Sequence, residues 1–266
     1  MVAIELSDLI EILTWINQIP PQNRKRLLFI GDTHHYADCN DLVQIAHDLG
    51  MNIADSEGPM SSTKFGYMCG FARTDTLGIE EECSINFNLM DQVPIELQSQ
   101  FDLVIDAGTL FWTFNPGTAI SNLSKLVSKN GLIIHITALS GHFGAAYYNI
   151  HPKLFIDFYS LNEFDLLGTG KCRNRRLSIL SMALPKIYKV FKLSHTQSDY
   201  RQVNLARTDE LGMVLTSSIS RVLAKCRLKN ITLRDRSVGI FCFQKIKITN
   251  TVKFPLLLES EFQKKF

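Results

Sequence analysis

Apolar residues from Ile4 to Ile16 (Ile4, Leu6, Leu9, Ile10, Ile12, Leu13 and Ile16) recur mostly at helical spacing until Pro20-Pro21 stops the segment. That pattern predicts a docking helix within residues 1–20, packed on the domain behind it. The periodicity then gives way to continuous apolar runs. Leu27-Leu28-Phe29-Ile30, after the basic Arg24-Lys25-Arg26, ends in Gly31-Asp32, as a strand buried on both faces does. Phe101-Asp102-Leu103-Val104-Ile105-Asp106 is a second such run, closed by Ala107-Gly108-Thr109, and Leu132–Ile136 after Asn130-Gly131 is a third. Between the second and third, Asn115 can cap, Pro116 suits a first turn, and Ala119, Leu123, Leu126 and Val127 share one face. Strand, helix and strand make a βαβ unit.

Parallel strands joined by right-handed crossovers predict a doubly wound sheet, whose ligands bind at the carboxyl ends of the strands. The residues that follow each run therefore matter most. They are Gly31-Asp32-Thr33-His34-His35, Asp75 after a weaker run through Phe71–Thr74, Asn88 after Ser84–Phe87, and Asp106–Thr109. A further crossover helix is predicted from Pro152 to Phe164, and a last strand over Val238–Gln244. Residues 170–230 read as an insertion or cap, in which Lys171, Arg173, Arg175, Arg176, Lys186, Lys189 and Lys192 interleave with apolar side chains. The domain expectation is thus a docking helix (1–20), a ligand-binding domain (24–169), the insertion (170–230), and a final strand with a tail (231–266).

Composition narrows the class. A chain of 266 residues with 45% hydrophobic and 20% charged positions can bury a sizeable core, which excludes a disordered or fibrous protein. Lys+Arg 28 against Asp+Glu 26 leaves a net charge of +2, too little for a general polyanion binder, so no nucleic-acid partner is expected. The six cysteines lie singly, without a CxxC pair, and read as reduced thiols with no structural metal. His34 and His35, adjacent in sequence, read as loop residues because metal pairs on a helix stand four apart. No apolar stretch reaches the ~20 residues of a membrane span, and the start lacks a signal-peptide pattern, so a cytoplasmic location is expected.

Taken together, these segments resemble the class I S-adenosylmethionine-dependent methyltransferases, and among them a bacterial methyltransferase-like group. The resemblance covers roughly Arg24 to Asp165, with Val238–Gln244 as the last strand. It is carried most by Phe101–Leu110 with Phe114-Asn115-Pro116, and by Gly141-His142-Phe143-Gly144 with Tyr147–Tyr159. It implies an α/β fold, a doubly wound Rossmann-like sheet with an insertion before the last strand, and S-adenosylmethionine as cofactor.

Residue by residue, the resemblance implies that Gly31 and Asp32 begin the cofactor loop, that Asp75 accepts from the ribose diol, and that Asn88 meets the adenine. Asp106, Ala107, Gly108 and Thr109 would line the sulfonium and the methionine head through backbone carbonyls. Glycine permits close backbone approach, and a carboxylate after the second strand can accept from both ribose hydroxyls. Asp55 lies nearer the usual spacing and is the alternative ribose acid. Two departures stand out. The glycine-rich loop is reduced to Gly31, and Leu110-Phe111-Trp112 replaces the Glu-His pair that commonly follows the leucine.

Methyl transfer to an acceptor that must lose a proton needs a base, for which His142 is the candidate, with Tyr147 and Tyr148 as substrate-binding walls. The expected activity is methyl transfer to oxygen or nitrogen of a small-molecule acceptor, a sugar or secondary metabolite. The alternative is a catalytically degenerate relative acting as a binding or scaffold partner. A nicotinamide enzyme is disfavoured because Gly-x-Gly-x-x-Gly is missing after the first strand. Self-association through the docking helix or the insertion is a further expectation. The basic segment 171–193 could cover an anionic acceptor or touch a membrane surface.

Overall fold

β1 (Arg26–Ile30) and β4 (Phe101–Asp106) pair in parallel at the centre of a sheet, their continuous apolar sequence reflecting cover on both faces. In this computed structural model the described residues are 4–31, 33, 35, 37–140, 146–170, 173–174, 237–249 and 251–255. β2 (Arg73–Gly78) pairs with the other side of β1, β3 (Ile85–Asn86) with β2, and β5 (Val127–Ser140) with β4, all parallel. β6 (Phe164–Thr169) is antiparallel to β8 (Ser237–Lys245), giving the order β3-β2-β1-β4-β5-β8-β6. Gln244 donates to the Asn130 carbonyl while Gly239 lies against Leu139, so β8 runs opposite to β5. Leu27, Leu28, Phe29, Leu103, Val104, Ile105, Ile133 and Ile134 are wholly buried and form the core of the sheet.

The helices follow from local chemistry. α2 (Cys39–Asp48) begins in a capping box in which Asp38 accepts from the Asp41 amide and Asp41 from the Asp38 amide. In α4 (Pro116–Leu126), Asn115 accepts from the Thr118 amide and Pro116 takes the first position. α5 (Pro152–Leu161) starts the same way, with His151 as cap before Pro152. α3 (Ser62–Met68) packs on the sheet through Gly66, where a Cβ would collide with the Thr74 hydroxyl.

α1 (Leu6–Ile16) buries Leu9, Ile12, Leu13, Trp15 and Ile16. Arg24, itself buried, fixes the helix end: it donates to the carbonyls of Ile16 (3.1 Å) and Ile19 (3.0 Å) and to Cys69 (3.0 Å) just past α3. One guanidinium thus ties the end of α1 to the chain just past α3 through three carbonyls.

The chain divides into two compact units, one of Met1–Cys172 with Val238–Phe266 and one of Arg173–Ser237. The first holds α1, the sheet and its covering helices. Of the second, the short strand β7 (Arg173–Asn174) is described. The second unit falls between β6 and β8 in the chain, as an insertion before the last strand. Most of the basic segment 171–193 lies outside the described residues.

Candidate functional site

The sheet order reverses between β1 and β4, because β1 connects outward to β2 while β4 starts the other half. The carboxyl ends of those two strands flank the crevice where such folds take ligands. At the end of β1, Gly31 adopts φ +74° and donates its amide to the Leu77 carbonyl (2.7 Å) at the end of β2. A Cβ on Gly31 would lie 3.1 Å from Thr109 Oγ1, which donates to the Ile30 carbonyl at 3.1 Å. Gly31, Leu77 and Thr109 therefore lock three strand ends together. Close approach and positive φ both demand glycine at position 31.

After β4 the chain turns at Gly108 (φ +103°) into a short 3-10 turn over Leu110–Trp112. Asp106 organises the turn, Oδ1 accepting from the amides of Thr109 (2.8 Å) and Leu110 (3.3 Å). Its Oδ2 lies 2.9 Å from His135 Nδ1, and His135 Nε2 lies 2.7 Å from the Tyr159 hydroxyl. All three side chains are fully buried. Burial, and secondarily the Asp106 charge, hold the Tyr159 hydroxyl protonated by raising its pKa well above the usual value. Because a carboxylate only accepts, His135 Nδ1 donates to Asp106, and in the neutral ring that tautomer leaves Nε2 to accept from the Tyr159 hydroxyl. With both its oxygens engaged, Asp106 builds the site from beneath.

The expectation that Asp75 ends the second strand is not met. β2 continues to Gly78, and Asp75 pairs in register with Leu28 in its middle. The Asp75 carboxylate is buried, with Oδ2 2.8 Å from Arg26 Nη2 and Oδ1 2.7 Å from Arg73 Nη2. Arg26 and Arg73 start their strands, so Asp75 faces away from the carboxyl edge. Asp55 does not replace it. Ala54 donates to the Met68 carbonyl, which sets the exposed Asp55 beside the end of α3.

The acid that does follow β2 is Glu80. It is exposed, accepts from Cys83 Sγ (3.7 Å), and stands so close to Gly78 that a Cβ there would collide with Oε2. Asn88 follows β3 as expected and is exposed. Its Oδ1 accepts from the Met90 amide (2.9 Å), and Asn122 of α4 donates to the Leu89 and Asp91 carbonyls, pinning the turn. Ala107 is buried between these ends, and Thr33, two residues past Gly31, has a buried hydroxyl without a hydrogen-bond partner among the described residues.

Tyr147 and Tyr148 lie over the turn after β4. Both donate their amides to the Phe111 carbonyl, at 3.2 and 3.3 Å, and the Tyr148 hydroxyl donates to the Phe114 carbonyl (2.9 Å). Phe111 is buried whereas Trp112 is exposed. Asp32 and His142 lie outside the described residues. The structure thus brings Gly31, Ala107, Gly108 and Thr109 to the adjoining carboxyl ends of β1 and β4, with Asn88 and Glu80 at the neighbouring strand ends, and sets Asp75 apart.

This strand order, with an antiparallel last strand between β5 and β6, is the class I methyltransferase fold. No protein-family model matches the sequence, and no curated protein matches it. Among solved structures, YcgJ from Bacillus subtilis aligns at TM-score 0.43 and 9% identity, over 91% of this chain and 99% of its own. The StiE O-MT segment aligns at 0.41 and 11% identity, over 91% and 74%. Haemonchus contortus phosphoethanolamine N-methyltransferase 2, solved with S-adenosyl-L-methionine, aligns at 0.38 and 11% identity, over 92% and 61%. Likeness at this level is too distant to assign a function, and the fold rests on the strand order itself.

Proposed function

We propose that the protein transfers a methyl group from S-adenosylmethionine to a small-molecule acceptor. The observation that supports this most is the close approach of Gly31 and Thr109 at the sheet's reversal point, where a Cβ would lie 3.1 Å from Thr109 Oγ1 and φ +74° strains any other residue.

The residues present fit the cofactor's groups. Gly31, lacking Cβ, leaves room for its backbone to approach the ligand, and the Thr33 hydroxyl is a polar group still to be satisfied. Glu80 offers the carboxylate that a ribose diol requires at the end of the second strand. Asn88 keeps its amide donors for the adenine ring, since the Met90 contact uses only Oδ1. Ala107–Thr109, held by Asp106, would border the sulfonium and methionine head.

When bound, S-adenosylmethionine supplies an electrophilic methyl group on sulfur. The chain's own part is to hold the acceptor in line with it, which is where much of the rate of such a displacement arises. His142 is proposed to take the acceptor's proton where one must leave. Tyr147 and Tyr148 are proposed as walls of the acceptor site; the Tyr148 hydroxyl is committed to Phe114 as donor. Calorimetric titration with S-adenosylmethionine, S-adenosylhomocysteine and NAD tests the reading. It expects saturable binding of the first two, and binding of NAD alone would overturn it.

A further inference from the structure

The turn after β4 and the segment after β5 carry a group of exposed rings. Trp112 is 44% exposed, Phe114 78%, Tyr147 67% and Tyr148 39%. Three of them form one connected set, Phe114 and Tyr147 standing edge to face with centroids 6.3 Å apart and Tyr147 and Tyr148 at 6.5 Å, while the Trp112 ring meets Phe111 at 6.2 Å. Backbone bonds hold the set in place, since the Phe111 carbonyl accepts from Tyr147 and Tyr148, and Ile150 donates to the Ala138 carbonyl (2.8 Å), closing the segment onto β5.

Charge and hydrogen bonding define what this lip can recognise. Residues 107–124 and 130–152 contain no Asp, Glu, Lys or Arg. An anionic acceptor would find no cation on these stretches, and a cationic one no carboxylate to accompany the ring faces. Three polar groups here bond to the neighbouring backbone: Thr113 Oγ1 donates to the Leu110 carbonyl (2.7 Å), the Tyr148 hydroxyl to Phe114, and Asn115 Oδ1 receives the Thr118 amide. A flat, uncharged ring needs only faces and edges to pack against.

We infer that the lip formed by Phe114, Tyr147 and Tyr148, with Trp112 beside it on the same turn, binds a neutral, planar aromatic acceptor such as a phenol, in preference to a charged metabolite. Calling this molecule an acceptor rests on the methyl-transfer reading; its binding does not.

Saturation-transfer NMR on the full chain tests the lip with four probes: p-cresol, methyl glucoside, glucose 6-phosphate and tetramethylammonium. The expected result is transfer to the cresol ring protons alone, weakened about tenfold in Trp112→Ser/Tyr147→Ser, whose melting temperature stays near that of the parent because both side chains are exposed. Preferential transfer to any other probe, or a cresol signal unchanged in the double variant, would overturn the inference. A parallel titration with S-adenosylhomocysteine separates the two claims. Cofactor binding without cresol binding refutes the lip alone, and cresol binding without cofactor binding refutes the methyl-transfer reading alone.

Discussion

Asp106 Oδ2 and His135 Nδ1 meet at 2.9 Å in adjacent strands, at a pair of positions in register and without access to solvent. The same carboxylate fixes the turn over Thr109 and Leu110, so the contact couples the sheet's interior to the floor of the crevice.

Removing the imidazole leaves a buried carboxylate short of a donor and the Tyr159 hydroxyl without its acceptor. His135→Phe is therefore expected to lower unfolding free energy by about 2–4 kcal/mol, and Tyr159→Phe by about 1 kcal/mol. Denaturant midpoints measure both. A His135→Phe loss under about 0.5 kcal/mol would show that the contact contributes little.

Gly31→Ala places a Cβ against Thr109 Oγ1 and forces a side chain onto φ +74°. A stability loss of about 1–2 kcal/mol is expected, together with weaker cofactor binding, because the substitution disturbs the crevice as well as the backbone. Thermal unfolding with and without S-adenosylhomocysteine reads the two effects separately; a fully native ligand-induced shift would argue that position 31 does not face the ligand.

Lys245 gives a pH dependence with a definite sign. Its ammonium is buried and donates to the Ser124 and Val127 carbonyls at 3.0 and 2.9 Å, where α4 ends and β5 begins. Burial lowers its pKa from 10.5 to about 8. Between those values the unfolded chain holds a proton that the folded chain has released, so this group adds stability as pH rises through about 8, and the gain is absent at lower pH. The stability of the parent relative to Lys245→Met should accordingly rise from about pH 7 to pH 10. A constant difference in denaturant titrations across that range would contradict the assignment.

The central strands were legible because burial on both faces leaves unbroken apolar runs, as in Leu27–Ile30 and Phe101–Asp106. α4 was legible from Asn115 and Pro116, whose capping chemistry is local. β2 was harder: Arg73-Thr74-Asp75-Thr76 breaks the apolar run that leads into it, so the strand seemed to end at Asp75 when it reaches Gly78. The burial of Asp75 depends on Arg26, a partner 49 positions away, which no local pattern contains. Glu80, the acid proposed for the ribose, follows the true strand end and so could not be singled out before that end was known. β5 likewise begins at Val127, where the chain passes directly from α4 into the strand. The exposed ring group around Trp112 and Tyr147 depends on Phe111 accepting from a segment some 36 residues later, again a tertiary contact.

On the proposed reading, Asp75 and Glu80 divide what one acid was expected to do. Asp75→Asn should cost about 1–3 kcal/mol of stability by weakening its pairing with Arg26 and Arg73 while leaving ligand affinity intact. Urea titration of the variant measures the cost, and a variant as stable as the parent would mean that the pair is dispensable.

The most direct test of the account is the affinity for S-adenosylhomocysteine measured by calorimetry for the parent, Glu80→Gln and Asp75→Asn. The account predicts one-to-one binding by the parent, at least a tenfold loss in Glu80→Gln, about 1.4 kcal/mol or more, and little change in Asp75→Asn. An unaltered Glu80→Gln beside a weakened Asp75→Asn, or no binding by the parent up to about 1 mM, would contradict a cofactor site at the carboxyl edge of these strands.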